Sequence, residues 1–131
     1  MKYFTIQELC KSSTAASRKI DNTPNTIVIN NLQLLVEHIL DPLRERYGKP
    51  IYVNSGYRSP ALNKAINGAN TSQHMKGLAA DITAGSTTNN KILFELVQEL
   101  KLPFDQLIDE KNFKWIHVSY ANKPRKQILH L

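Results

Sequence analysis

Apolar residues recur at three- and four-residue steps between residues 26 and 47, placing Val28, Leu32, Leu35, Ile39, Leu43 and Tyr47 on one helical face. The spacing predicts the main core helix. Pro42 falls inside it, lacks an amide proton and crowds the preceding turn, so a kink or restart is expected at Asp41, and Gly48 ends the helix. Ahead of this helix, Thr5 and Glu8 form a T-x-x-E capping box that opens a short helix over residues 5–10. Residues 11–25 are rich in Ser, Thr and Asn, end in a proline turn, and read as a surface loop.

Beyond Gly48 the pattern changes. The β-branched and aromatic run at residues 51–54 fits a strand, Ser59 caps a short helix that Pro60 opens and that runs through Ile66, and Gly68 is the expected left-handed stop. Residues 67–77 are polar and loop-like, whereas residues 78–83 alternate as a strand does. A second amphipathic helix carries Ile92, Leu93, Leu96, Val97 and Leu100 after a cap region at Asn89 and Asn90. Strands at 104–108 and 115–120, joined by the polar run DEKNF, read as a hairpin. No internal repeat or second domain is visible. The economical reading is one α+β domain with a small antiparallel sheet, helices packed on it and a cleft on the sheet.

Composition narrows the possibilities. The chain has 131 residues, 41% hydrophobic and 21% charged, which suits a compact core and excludes a disordered tail. No apolar run approaches the roughly 20 residues of a membrane span, and the start lacks the apolar stretch of a secretory signal. A soluble monomer without a signal peptide is expected. Cys10 is the one cysteine, so neither an internal disulfide nor a cysteine-only metal site can form. The net charge of +6 suits nucleic acid, an anionic membrane or an anionic wall polymer. The one basic cluster, Lys123 to Lys126, reads as a solvated tail face, and the stripe of basic and aromatic residues that a nucleic-acid binder needs is missing.

Four histidines carry the candidate chemistry. His38 lies within the long helix, either partly buried or turned to solvent, and His130 sits at a frayed end. His74 lies in the polar loop seven residues before Asp81, and His117 shares a strand face with Trp115 and Ser119. Two imidazoles and a carboxylate are a sufficient protein set for a catalytic zinc with its fourth position open. Such residues also coincide by chance, so the joint spacing must decide.

Taken together, S-G-Y-R-S at residues 55–59, S-x-H-x-x-G-x-A-x-D at residues 72–81 and W-I-H-V-S at residues 115–119 resemble the M15 zinc peptidases. That family includes D-alanyl-D-alanine carboxypeptidases, dipeptidases and phage cell-wall endolysins, and the ending looks most like its short single-domain branch. The resemblance implies zinc bound by His74, Asp81 and His117, with Arg58 facing the substrate, and peptide stems of bacterial peptidoglycan as the partner. Action at the wall, after release from the cytoplasm, would follow. Gly77 would let the loop between ligands turn, and Ala79 leaves room beside the metal. Ser72 can bond a ligand or substrate or simply form the loop turn, and Gln73 can donate its amide to substrate or stand exposed.

One position departs from the family pattern. Many relatives carry a carboxylate general base three residues before the last ligand histidine, where this chain has Lys114. The remaining carboxylates nearby are Asp109 and Glu110. Because side chains alternate along a strand, one of the two faces the His117 side, and parity with Gln106 and Ile108 together with the longer side chain favours Glu110 over Asp109. The relatives' QLI-x-E pattern points the same way. The rival reading is a catalytically silent zinc- or wall-binding domain on the same fold.

Overall fold

The computed structural model describes residues 1–131. It is an α+β fold. The elements run α1 (Ile6–Cys10), α2 (Ser13–Ser17), α3 (Thr26–Leu35), a π-helical turn (Val36–Leu40), α4 (Asp41–Tyr47), β1 (Tyr52–Ser55), α5 (Pro60–Ala65), a 3₁₀ turn (Gln73–Lys76), β2 (Ala79–Thr83), α6 (Thr87–Glu99), β3 (Phe104–Glu110), β4 (Trp115–Tyr120) and β5 (Gln127–His130). The strands form one sheet in the order β1-β2-β4-β3-β5. All pairs are antiparallel except β3 with β5, which is parallel.

The capping box forms as expected, with Glu8 N donating to Thr5 Oγ1 at 3.1 Å and Thr5 N to Glu8 Oε1 at 3.0 Å. The long amphipathic pattern buries Val28, Leu32, Leu35, Ile39 and Leu43. It also buries Val36 and Leu40, the i+4 and i+8 positions of the same face counted from Leu32, and the turn before Pro42 widens to π geometry, with Asp41 N bonding Val36 O. The backbone stays helical through Leu40 and Asp41, so the interruption expected at Asp41 takes the form of this π turn and not of a new helix start.

Four expectations need correction. Residues 11–25 contain α2, capped by Ser12, and the segment is tied down by Asn22, which donates to the Cys10 and Tyr57 carbonyls at 2.8 and 3.1 Å and accepts from Ser59 N. The left-handed residue after α5 is Asn67 (φ 59), whereas Gly68 is small because the Asn63 side chain packs against it. The chain end is strand β5, and His130 bonds Asp109 there. In α6 the cap is Ser86, and Asn90 is fully buried inside the helix, bonding Ala84 N and the carbonyls of Phe113 and Lys114. That side chain fixes the β3–β4 turn, whose Lys111, Asn112 and Phe113 are all left-handed.

One sheet face, carrying Ala80, Ile82, Leu107, Ile116 and Val118, packs with α3, the π turn and α6 into the apolar core. The other face is left to the cleft. Gly56 couples the core to that face: Tyr57 N bonds Leu9 O at 2.7 Å, bringing α1 so close that a Cβ at Gly56 would overlap the Leu9 carbonyl. Gly56→Ala should destabilise the fold by about 1–3 kcal/mol, read as a lower urea midpoint with unchanged slope. An unchanged midpoint would mean that this approach is loose in solution.

Candidate metal centre

Opposed residues on neighbouring strands share a sheet face. Ser55 opposes Asp81, Asp81 opposes His117 and His117 opposes Ile108, so one row of side chains crosses four strands on the cleft face. A register shift between Val53 and Ser55 brings the end of β1 into that row. His74 reaches it from outside the sheet. Its 3₁₀ turn is capped by Ser72, whose Oγ accepts from His74 N at 3.2 Å, and closed by Gly77 at φ 76. A Cβ at Gly77 would come within 2.8 Å of Val28 O, so a close approach and a left-handed backbone both require glycine.

His74 Nδ1 lies 2.7 Å from the Gly56 carbonyl. A carbonyl can only accept, so Nδ1 carries the proton and the Nε2 lone pair points inward. Asp81 Oδ1 stands 3.3 Å from that Nε2 and 3.0 Å from His117 Nδ1, with all three donor atoms inside 4.8 Å. A tetrahedral zinc with bonds near 2.0–2.1 Å separates its donors by about 3.3 Å. The donor set fits zinc in element and spacing, and His74 does so in tautomer as well.

The second oxygen of Asp81 is held by Arg58, Nη2 to Oδ2 at 3.2 Å. Arg58 is itself oriented by Ser55 Oγ at 3.0 Å and Asn63 Oδ1 at 3.4 Å. Burial alone would raise the Asp81 pKa, but hydrogen bonds and charge from His117 and His74 outweigh it and hold the carboxyl well below the usual range. Asp81 therefore stays ionised and ready to ligate.

The centre opens into a cleft of about 420 Å³ lined also by Arg58, Ser72, Gln73 and Glu110. Glu110 opposes Trp115 and accepts from its indole Nε1 at 2.6 Å, leaving the other carboxylate oxygen unbonded within the protein. Asp109 is corrected as a cleft residue: it pairs with Ile116 on the opposite face, is buried, and bonds His130. Lys114 is exposed and lines no part of the cleft. Gln73 lines the cleft, with one Nε2 hydrogen donated to Asp105 Oδ2 at 3.0 Å and its Oε1 buried without a partner. Both Asp105 and Arg125, which also lines the cleft, were hidden in the sequence. A register shift in β3 between Phe104 and Leu107 breaks the alternation that would have placed Asp105, and Arg125 carried no signal beyond its charge. His38 lies elsewhere, stacked on Tyr120 at 4.9 Å.

A family model described as Peptidase M15 matches residues 2–119. The chain belongs to the peptidase M15 family. Among curated proteins, the zinc D-Ala-D-Ala carboxypeptidase of Streptomyces albus G is 50% identical over 48 residues, 36% of this chain. The match spans 19% of that relative's length. The M15 assignment agrees with the zinc-fitting donor set, and no helix of the chain is long and apolar enough to cross a membrane.

Two outcomes follow from this geometry. Metal analysis after dialysis should find about one zinc per chain, with occupancy collapsing in His117→Ala while circular dichroism shows the helices retained; full occupancy in that variant would remove His117 from the centre. The second concerns Asp105, which Arg125 hydrogen bonds hold below the ordinary aspartate value of 3.8. A carboxyl depressed in the folded state contributes stability above its unfolded pKa and loses it as pH falls through the folded one. The urea-midpoint gap between wild type and Asp105→Asn should stay constant from about pH 7 to about pH 5 and narrow at pH values below 3.8. A gap that ignores acid would show that the bonded carboxyl is not ionised.

Proposed function

We propose that this M15 protein is a zinc-dependent peptidase that hydrolyses the peptide stems of bacterial peptidoglycan. The observation that carries the reading is the convergence of His74, Asp81 and His117 with Glu110 on one face of the sheet, within one cleft. The M15 match and the curated zinc carboxypeptidase support it.

Zinc held by His74, Asp81 and His117 supplies Lewis acidity toward water and the scissile carbonyl. The remaining work falls to the protein's own groups. Glu110 takes the proton of the attacking water on the oxygen that Trp115 leaves free and passes it to the leaving amine, as a general base and then acid. Trp115 keeps that carboxylate from swinging away. Arg58 spends three of its five donor hydrogens on Ser55, Asn63 and Asp81, and offers the others to a substrate carboxylate or carbonyl oxygen. Ser72 keeps its hydroxyl hydrogen for substrate while its oxygen caps the His74 turn. A carboxypeptidase and an L,D- or D,D-endopeptidase both fit this machinery, as does a phage lysis enzyme, and product masses from defined muropeptides distinguish the bonds cut.

Glu110→Gln should keep zinc and the fold yet lose about 10²–10⁴-fold in turnover, followed by mass spectrometry of digested wall fragments. A chelator should abolish hydrolysis by wild type and added zinc restore it. Wall binding without any product from the zinc-loaded wild type would instead favour a binding module on the same fold.

A further inference from the structure

Arg125 lies beyond residues 2–119, the part of the chain that matches the family model, yet it lines the cleft. Its neighbours in the basic cluster do not. Lys126 Nζ donates to the Leu102 carbonyl at 2.5 Å and sits over the Phe104 ring, and Lys123 is exposed away from the cleft. Pro124 before Arg125 and the left-handed Lys126 (φ 53) after it fix the local backbone. Arg125 is pinned on Asp105, which is only 3% exposed: its backbone N and Nε donate to Oδ1 at 2.9 and 3.1 Å, and its Nε and Nη2 to Oδ2 at 3.2 and 2.7 Å. Gln73, the neighbour of His74, bonds the same carboxylate. One buried acid thus ties the cleft rim to the turn that carries a metal ligand.

A structural staple would satisfy Asp105, but it does not require an open edge on the guanidinium. The Arg125 side chain keeps 59% of its surface exposed, and Nη1 has no partner in the protein. The fork is already oriented before any ligand arrives, so little side-chain entropy remains to be lost on binding. The cleft therefore presents two fixed guanidinium groups, Arg58 beside Asp81 and Arg125 on the wall that Asp105 supports. A ligand complementary to both carries oxygen acceptors at two separate points along its length.

We infer that Arg125 is a substrate-recognition residue that binds a peptide carboxylate remote from the scissile bond, so that the C-terminal segment selects acidic peptides. This rests on the peptidase reading for its substrate class. The ion pair with Asp105 offsets part of the charge and the rim is solvated, so the discrimination is modest, about five- to tenfold.

The test uses zinc-loaded protein and synthetic peptidoglycan stem peptides in which each free carboxylate is amidated in turn. Binding is followed by the fluorescence of Trp115, the one tryptophan, before product accumulates, and hydrolysis by product mass. For one of the amidated positions, the affinity ratio of acidic over amidated peptide should be about five to ten in wild type and about one in Arg125→Gln. Arg125→Lys, which keeps a cation for Asp105 but lacks the fork, should fall between them and serves alone if the glutamine variant does not fold. Ratios that are the same in wild type and variants at every position, or an equal loss of affinity for all peptides, would overturn the assignment and leave Arg125 a staple. If wild type releases no product, the peptidase reading fails, while the binding ratios still decide on Arg125. Wild type that binds none of the peptides overturns the assignment outright.

Discussion

The centre of this molecule is a carboxylate that has been taken out of water. An ionised aspartate buried without partners would cost several kcal/mol or would take up a proton instead. Asp81 avoids both outcomes because three chain segments reach it: Arg58 from the loop after β1, His74 from the 3₁₀ turn and His117 from β4. Two of these partners have support of their own, in Ser55 and Asn63 for Arg58, and in the Gly56 carbonyl for His74. Removing any of these leaves charge or donors unmatched in a water-poor site. The bulge in β1 and the glycine of the 3₁₀ turn follow from the need to bring these groups to one oxygen pair.

The sheet supplies precision where the loops could not. Asp81 and His117 are directly paired across β2 and β4, so their spacing is fixed by backbone hydrogen bonds. Glu110 comes from β3, the next strand over, and this explains why Lys114 is no obstacle: the cleft carboxylate arrives across the hairpin instead of from the same strand. Asn90 then holds the turn between those strands from inside a helix. A buried amide that bonds a helix entry and a hairpin turn at once makes the strand register part of the site.

Much of this was legible in the sequence, for physical reasons. The capping box, the helical face from Val28 to Leu43 and the strand parity that puts Glu110 with His117 are local patterns, and local patterns are written in residue spacing. The three imidazole and carboxylate positions were legible because their spacing matched a family. What stayed hidden depends on partners far along the chain. Strand β5 is only four residues long and is held by the edge that β3 offers it, and the buried Asp105 is explained by an arginine twenty residues later. The direction of the Gln73 amide is set by that same pair. Asp109 was the second candidate by its place beside Glu110, and the strand register and its bond to His130 take it out of the cleft.

The widened turn at Val36–Leu40 and the proline that follows it are mutually dependent. In an uninterrupted α-helix the Pro42 ring would press on the carbonyl four residues back, and the π turn relieves that contact by spending one extra residue. Each α-helical step turns a side chain by about 100°, so the surplus residue rotates α4 relative to α3, and the core receives both Leu35 and Leu43 across that rotation. Replacing the proline removes the ring that holds the turn open, whereas deleting one exposed residue of the turn, Glu37 or His38, would force the ring back against the backbone. The two edits act on one contact and are therefore non-additive, the deletion being better tolerated once the proline is gone.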